Sequence, residues 1–296
     1  MRRRLIKGCG AILALLVLAA LAATLFVLYQ ARRTPLGRAD YVALGSSFAA
    51  GAGLGPLQAQ SPMLCARSVN GYPQQLARRL RLSIVDMSCG GAVTRHVLEG
   101  GQFFQGAQVR TIGRETRLVT ITVGGNDVGY IGDLSQLAAR HSGTFFGWLV
   151  RRYWKGPKKP EARDFAGLRA ELLATLREAH RRAPAATIVV ATYPAILPPA
   201  GTCRLLGLTV AEADLMRQVA EPLAATTRSA ATESGAMLVD MQVIGAAHHA
   251  CSDAPWTRGW TNGGVAPFHP TLAGAHATAE AIARALEGAR MKTPKS

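Results

Sequence analysis

From Gly8 to Tyr29 the chain reads "GCGAILALLVLAALAATLFVLY", 22 residues without a charge. That is long enough for an α-helix to cross a bilayer. Beyond it the pattern changes. Five short apolar runs stand out: Tyr41–Leu44, Leu82–Met87, Leu118–Val123, Thr187–Thr192 and Met237–Val239. They are β-rich and mostly uninterrupted, which is the pattern of parallel strands buried on both faces. Helical patterns lie between and after them, at Tyr72–Arg81, Phe165–Arg182, Val210–Ser234 and Leu272–Ala289, the second closing just before Pro184. This alternation predicts one α/β domain built on a parallel sheet. No internal repeat is present.

Arg2, Arg3, Arg4 and Lys7 precede the long apolar run. They hold that end in the cytoplasm, so the domain that follows is expected outside it. A signal peptide has a shorter apolar core and a small-x-small cleavage site after it. Here the run ends in Leu28-Tyr29-Gln30, with "LAALAA" inside it as the alternative cleavage point. The reading is an anchored extracytoplasmic domain, or a secreted one if the segment is cleaved. The chain divides into a basic segment 1–7, a transmembrane or signal segment 8–29, a linker 30–39, the folded domain 40–290 and a tail 291–296.

One stretch resists the pattern. "HSGTFFGWLVRRYWKGPKKPEAR", His141 to Arg163, mixes aromatic residues with six basic ones and two prolines. It reads as too irregular for a core element. It is either a solvated excursion or a lid or membrane-contacting flap, since Trp, Phe and Tyr beside Arg and Lys suit a bilayer interface. "PAILPPAGTCRLLG" follows the fourth strand and is expected to wall a site at that sheet edge.

With 49% hydrophobic and 18% charged residues, 296 residues can bury a sizeable core. The net charge is +16, but seven basic residues lie before position 39, where there is no acid. The remaining bias fits an arginine-rich surface near an anionic membrane or wall. No zinc-finger spacing or RNA-binding aromatic signature supports nucleic acid as a partner. Cys9 falls in the apolar segment. Cys65, Cys89, Cys203 and Cys251 form an even set in the exported part, which suits disulfides. Three connectivities exist, and nearest-neighbour pairing gives Cys65–Cys89 and Cys203–Cys251. There is no CxxC and no His/Cys ligand cluster, so no metal site is expected.

Candidate chemistry gathers at the ends of strands, where open α/β sheets bind ligands. "YVALGSSFAAGAG" runs from the first strand into Gly45-Ser46-Ser47, which presents a serine there. A serine in that place is more often a helix N-cap than a nucleophile. "SCGGAVT" puts Gly90 and Gly91 after the second strand, and "TVGGNDVGY" puts Gly124-Gly125-Asn126-Asp127 after the third. An Asn there can aim its amide at a developing oxyanion, although G-G and N-D are also common turns. In "PFHPTLAGAHATAEAI" His269 sits just before Pro270 opens the last helix, a suitable place for a general base. His276 falls within that helix, and His248 and His249 lie in an undistinguished stretch near Cys251.

Taken together and in this order, the blocks resemble the SGNH, or GDSL, hydrolase family, especially its secreted actinobacterial lipases and esterases. The resemblance covers about residues 40 to 290. It implies a three-layer α/β/α sandwich on a mostly parallel five-stranded sheet, of flavodoxin-like form. It implies Ser47 as nucleophile and His269 as base. It implies an oxyanion hole from the amides of Ser47 and Gly91 and the side chain of Asn126, with no cofactor. The two nearest-neighbour disulfides match pairs found in the actinobacterial branch. Two departures stand out. Ser46 replaces the usual Asp of the first block, and Ala266 occupies the place of the usual acid, three residues before the histidine. Some actinobacterial relatives orient the imidazole by a main-chain carbonyl instead. A Ser47–His269 dyad helped by a carbonyl near Ala266 is therefore expected, with Asp253 as a less favoured third member. The implied substrate is an acyl ester, with lipid as the leading class. A cell-wall sugar deacetylase, an acyltransferase and a non-catalytic binding module are the alternatives.

Overall fold

The computed structural model describes residues 2–33, 35, 37–261, 264 and 266–292, with side chains described from Ile12 to Ala289. The end of the tail, 293–296, and the side chain of Cys9 lie outside the described residues. Helix α1 (Arg2–Ala31) includes a stretch, Ile12–Ala31, long and apolar enough to cross a membrane. Its leucines, Leu13, Leu16 and Leu21 among them, point outward rather than into a core.

Five parallel strands follow: β1 (Tyr41–Gly45), β2 (Ile84–Asp86), β3 (Leu118–Thr122), β4 (Thr187–Ala191) and β5 (Met237–Val239), in the order β2-β1-β3-β4-β5. Strand β1 is central to the register, pairing Val42 with Val85 on one side and with Val119 on the other. The apolar runs are continuous because successive side chains enter different cores. Val42, Leu44, Val119, Ile121, Ile188 and Val190 belong to one cluster, while Tyr41, Ala43, Leu118, Val189 and Ala191 belong to the other. Helices α2 (Ser47–Ala50), α3 (Tyr72–Leu80) and α4 (Thr94–Leu98) come from the first half of the chain. Helices α5 (Tyr130–Arg140), α6 (Phe145–Tyr153), α7 (Phe165–Arg182), α8 (Val210–Ser234), α9 (Met241–Ile244) and α10 (Leu272–Lys292) complete the fold.

The first cluster is filled by Leu134 and Leu137 of α5, Leu172 and Leu176 of α7, and Met216 and Val219 of α8. The second is filled by Leu76 of α3 and Ala279 and Ile282 of α10. Helices thus cover both sheet faces, giving three layers. Two threonines of β3 are buried, and their hydroxyls are satisfied: Thr120 pairs with the Tyr41 hydroxyl at 2.7 Å and Thr122 with the Tyr72 hydroxyl at 2.9 Å.

Helix ends follow local chemistry. Thr209 and Glu212 form a reciprocal capping box on α8, and Gly235 ends it in a left-handed conformation. Pro73 opens α3 within its first two positions. Two sequence expectations shift. The second strand is three residues rather than the six of Leu82–Met87. The 141–163 segment, read as too irregular for a core element, contains a regular helix, α6. Thr144 Oγ1 accepts the Gly147 N–H at 3.1 Å, and Gly147 and Val150 turn inward one turn apart. That cap is a single residue inside a stretch dominated by aromatic and basic side chains, so its signal was hidden.

Disulfides join Cys65 to Cys89 and Cys203 to Cys251, closing separations of 24 and 48 residues. Replacing Cys203 and Cys251 together by serine is expected to lower the unfolding free energy by about 4 kcal/mol, from loop-closure entropy alone. Replacing Cys65 and Cys89 is expected to cost slightly less. Urea titration followed by circular dichroism measures both.

Candidate active site

The order β2-β1-β3 means that the chain leaves β1 toward one side of the sheet and later returns on the other. The carboxyl ends of β1 and β3 therefore flank a switch point, where loops diverge and leave a crevice. Gly45 closes β1 at φ +141°, and a Cβ there would lie 2.3 Å from the Thr122 carbonyl oxygen of β3. Only glycine lets the two strands end this close. Gln108 clasps the same residue, accepting the Gly45 N–H at 2.8 Å and donating to the Gly45 carbonyl at 3.1 Å.

Ser47 is the first residue of α2 and is 7% exposed. Its backbone N–H meets no protein acceptor among the described residues, as holds for the first amides of any helix. Ser46 is held by the Tyr193 hydroxyl at 3.1 Å, and that hydroxyl also accepts the Gly125 N–H at 3.1 Å. The edge of the Tyr193 ring packs on Phe48, with centroids 4.5 Å apart.

His269 arrives from the other end of the chain. Its Nε2 lies 2.7 Å from Ser47 Oγ, across 222 residues of sequence. Its Nδ1 lies 2.8 Å from the Pro267 carbonyl oxygen. A carbonyl oxygen can only accept, so Nδ1 carries the proton and the Nε2 lone pair faces the serine. Between them Phe268 adopts φ +61° with its ring fully buried. A left-handed non-glycine residue costs roughly 1–2 kcal/mol, here offset by packing near Trp260 at 6.5 Å. Burial pushes the His269 imidazole below its ordinary value, the Pro267 hydrogen bond pulls it back up, and the positive field of Arg258 lowers it further.

The third component is the loop after β2. Gly91 has φ +76° and lines the same cleft as Ser47, Asn126 and His269. Its backbone N–H also meets no protein acceptor among the described residues. The loop is clamped from several directions. The Cys65–Cys89 bond fixes its start, Gly90 N–H donates to the Cys65 carbonyl at 2.8 Å, and Gln102 Nε2 donates to the Gly90 carbonyl at 2.7 Å. Fully buried Arg67 donates from Nε to the Ser88 carbonyl at 2.6 Å. Asn126 Nδ2 donates to the Ala92 carbonyl at 2.9 Å, joining the third block to the second and leaving its second N–H for another acceptor. Asp127 turns away from the cleft. It accepts the Thr94 N–H at 2.9 Å and the Thr94 hydroxyl, and burial raises its carboxyl while those bonds lower it.

Ser47, Gly91, Asn126 and His269 thus meet in one cleft of about 570 Å³, whose walls include Ile131, Phe146 and Trp260. The other histidines lie elsewhere. His276 meets Gln75 at 3.2 Å, His248 stacks on Trp256 at 4.2 Å, and His249 accepts the Cys251 N–H at 3.2 Å. The carbonyl anticipated near Ala266 is that of Pro267, and Asp253 is not the Nδ1 partner. Among the described residues no His, Cys, Asp and Glu cluster is arranged to hold a metal. Gln108 and Tyr193 escaped sequence reasoning. Tyr193 follows β4 at the ligand-binding edge, a signal that could have marked it. Gln108 opens a short 3-10 turn, Gln108–Thr111, with no such mark.

The GDSL-like lipase/acylhydrolase family model matches residues 43–277. The chain belongs to this family. This GDSL hydrolase is 31% identical over 253 residues to Lipase 2 of Streptomyces coelicolor, covering 81% of this chain and 83% of that protein. It is 30% identical over 236 residues to a lipase of Streptomyces rimosus, covering 79% and 82%. Among solved structures, the extracellular lipase of Streptomyces rimosus superposes with a TM-score of 0.66 at 29% identity, covering 83% of this chain and 99% of that one. Phospholipase A1 of Streptomyces albidoflavus gives 0.65 at 25% identity, covering 84% and 99%. The SGNH resemblance seen in the sequence motifs and the parallel-sheet fold both agree with these likenesses, and the hydrolase is an ester hydrolase by family.

The His269 ring is expected to titrate with a midpoint below 6.5, its ordinary value. For a neutral ring acting as the base, kcat/KM should rise with pH through that depressed midpoint and be flat above it on the acid side of the profile. Two-dimensional NMR of the imidazole, assigned with His269→Gln, reads the midpoint directly. A midpoint above 6.5 would contradict the burial argument.

Proposed function

We propose that this hydrolase cleaves carboxylic acyl esters of lipids by acyl transfer through Ser47. His269 Nε2 takes the hydroxyl proton as Ser47 Oγ attacks the ester carbonyl. The charge that develops on the carbonyl oxygen is met by the backbone N–H groups of Ser47 and Gly91 and by the second amide N–H of Asn126. The imidazolium then gives its proton to the departing alcohol, leaving the acyl group on Ser47; the same ring draws a proton from the attacking water and returns it to Ser47 Oγ as the acid is released. The Pro267 carbonyl keeps the ring in the required tautomer throughout, without a carboxylate's charge. No step calls for a cofactor.

The observation that carries this reading is the 2.7 Å approach of His269 Nε2 to Ser47 Oγ. The two departures from the family pattern have local substitutes. Ser46 is held by Tyr193, and the missing acid at Ala266 by the Pro267 carbonyl. This supports a working site over a decayed binding module. Ile131, Phe146 and Trp260 in the cleft favour an acyl chain over a sugar. The names of its relatives, lipases and a phospholipase A1, lead the same way. Helix α1 acts as the anchor, with Arg2, Arg3, Arg4 and Lys7 on the cytoplasmic side and the catalytic domain beyond the membrane.

A fluorophosphonate probe is expected to label the wild-type chain at Ser47, and Ser47→Ala to abolish both labelling and turnover of p-nitrophenyl esters. Unchanged turnover in that variant would refute the nucleophile. Asn126→Ala should keep the labelled serine but lower kcat about 10²- to 10³-fold, the usual loss for one oxyanion donor. Across a series of p-nitrophenyl esters the rate should favour longer acyl chains, whereas a preference confined to acetate would speak for a deacetylase.

A further inference from the structure

Helix α6 has an unusual surface for a soluble domain. Gly147 and Val150 turn inward, while Phe145 is 74%, Tyr153 66% and Trp148 49% exposed. Phe145 and Trp148 stack on one another at 5.6 Å, and Tyr153 meets Trp148 edge-on at 6.4 Å, so the three rings make one continuous outward patch. Isolated exposed apolar residues need no explanation, but a contiguous aromatic patch marks an interaction surface.

The charge around the patch narrows its partner. From Leu134 to Pro160 the chain contains no Asp or Glu and carries Arg140, Arg151, Arg152, Lys155, Lys158 and Lys159. Among the described residues none of these six makes an ion pair with an acid. Two lie over rings instead, Arg140 over Trp154 at 5.8 Å and Arg152 over Tyr153 at 5.1 Å, and Arg151 donates to the carbonyls of Arg140 and Ser142. Two nearby acids are engaged elsewhere, Asp133 with Arg163 at 2.7 Å and Glu212 with His141 at 2.9 Å, and exposed Glu161 follows the cationic run. Aromatic rings flanked by unpaired cations match the layered chemistry of an anionic bilayer surface, with acyl boundary below and phosphate above.

The patch also adjoins the cleft. Phe146, next to Phe145, is 49% exposed and lines the cavity that holds Ser47 and His269. The opposite connection runs to α1. Gln102 holds the Gly90 carbonyl, the 102–104 turn packs on α1, and Met63 N–H donates to Gln30 Oε1 near the end of that helix at 3.1 Å. Two walls of one cleft are thus joined to membrane-compatible elements.

We propose that α6 docks on an anionic phospholipid bilayer through Phe145, Trp148 and Tyr153, with Arg152, Lys155 and Lys159 on the headgroups. This holds the cleft mouth at the lipid surface, so that ester substrate enters from the bilayer. The consequence for substrate entry rests on the ester-hydrolase reading above, but the docking itself does not. Each basic residue near such a surface strengthens adsorption about fivefold, so reversing three should weaken the docked state by at least roughly 100-fold.

The test uses the full chain in vesicles, where α1 alone retains the protein and bulk partitioning is uninformative. The readout is therefore the emission of Trp148, taken as wild type minus Trp148→Phe, with lipids brominated on their acyl chains as quencher. Vesicles of phosphatidylcholine are compared with equimolar phosphatidylcholine and phosphatidylglycerol. Strong quenching of Trp148 is expected only with phosphatidylglycerol, falling as salt is raised. The variant Arg152→Glu/Lys155→Glu/Lys159→Glu should lose the quenching while keeping its circular dichroism spectrum. Equal quenching in both lipids, quenching that survives the charge reversal, or no quenching with Trp148 instead covered by a second copy would each overturn the proposal. A wild-type chain whose Trp148 is quenched on phosphatidylglycerol but which turns over no ester would fault the proposed chemistry and leave the docking standing.

Discussion

A carbonyl oxygen has no proton to give, and the site depends on that one-sidedness. With Pro267 O against Nδ1, His269 is held as the tautomer whose Nε2 lone pair faces Ser47. A carboxylate in the usual place would do the same and add charge stabilisation to the imidazolium. Here the backbone does the orienting, through a chain reversal at Phe268 that is strained for a non-glycine residue and held by burial of its ring. Desolvation then keeps the ring neutral over a wider pH range than a free imidazole. Tautomer, orientation and basicity are all set by the few residues around His269, before any substrate arrives.

The remaining geometry follows from the sheet. Parallel strands β1 and β3 end side by side at the switch point, and Gly45 allows an approach that a Cβ would forbid. Ser47, opening α2 two residues after β1, and Asn126, in the turn four residues after β3, are consequently held close to rigid strand ends. Flexible glycine backbone supplies the third wall, and its freedom is removed by cross-links of different kinds. These are the Cys65–Cys89 bond, the Arg67 bond to Ser88, the Gln102 bond to Gly90 and the Asn126 bond to Ala92. Each ties one segment of the site to a neighbour remote in sequence, and Ser47 and Gly91, whose amides meet no protein acceptor among the described residues, both line the cleft.

Outside the sheet the polar and apolar surfaces are sorted by position. The helix layers bury their apolar faces against β1, β3 and β4, while α6 turns its rings outward beside the cleft, and among the described residues its arginines make no ion pair with an acid. Arg163 anchors the far end of this excursion to Asp133 and to the Val128 carbonyl, just beyond the Gly-Gly-Asn-Asp turn. The excursion is therefore not a loose loop but a helix fixed at both ends to the wall of the site.

Much of this was legible along the chain. Five uninterrupted apolar runs separated by helical periods specify a parallel α/β sheet, because residues buried on both faces need no polar alternation. Ser47, Gly91, Asn126 and His269 could be named because the order of their blocks resembles the SGNH family, whereas each local signal, a glycine pair, a strand end or a helix-opening proline, is weak alone. An even set of cysteines in a domain read as exported pointed to disulfides. What the tertiary structure decided were the pairings between distant residues: which carbonyl meets His269 Nδ1, that Tyr193 stands behind Ser46, that Gln108 clasps Gly45, and that α6 forms beside the cleft. Local sequence fixes backbone preference within a few residues. A hydrogen bond between residues 147 or 222 positions apart exists only once the sheet has folded and set the distance between them.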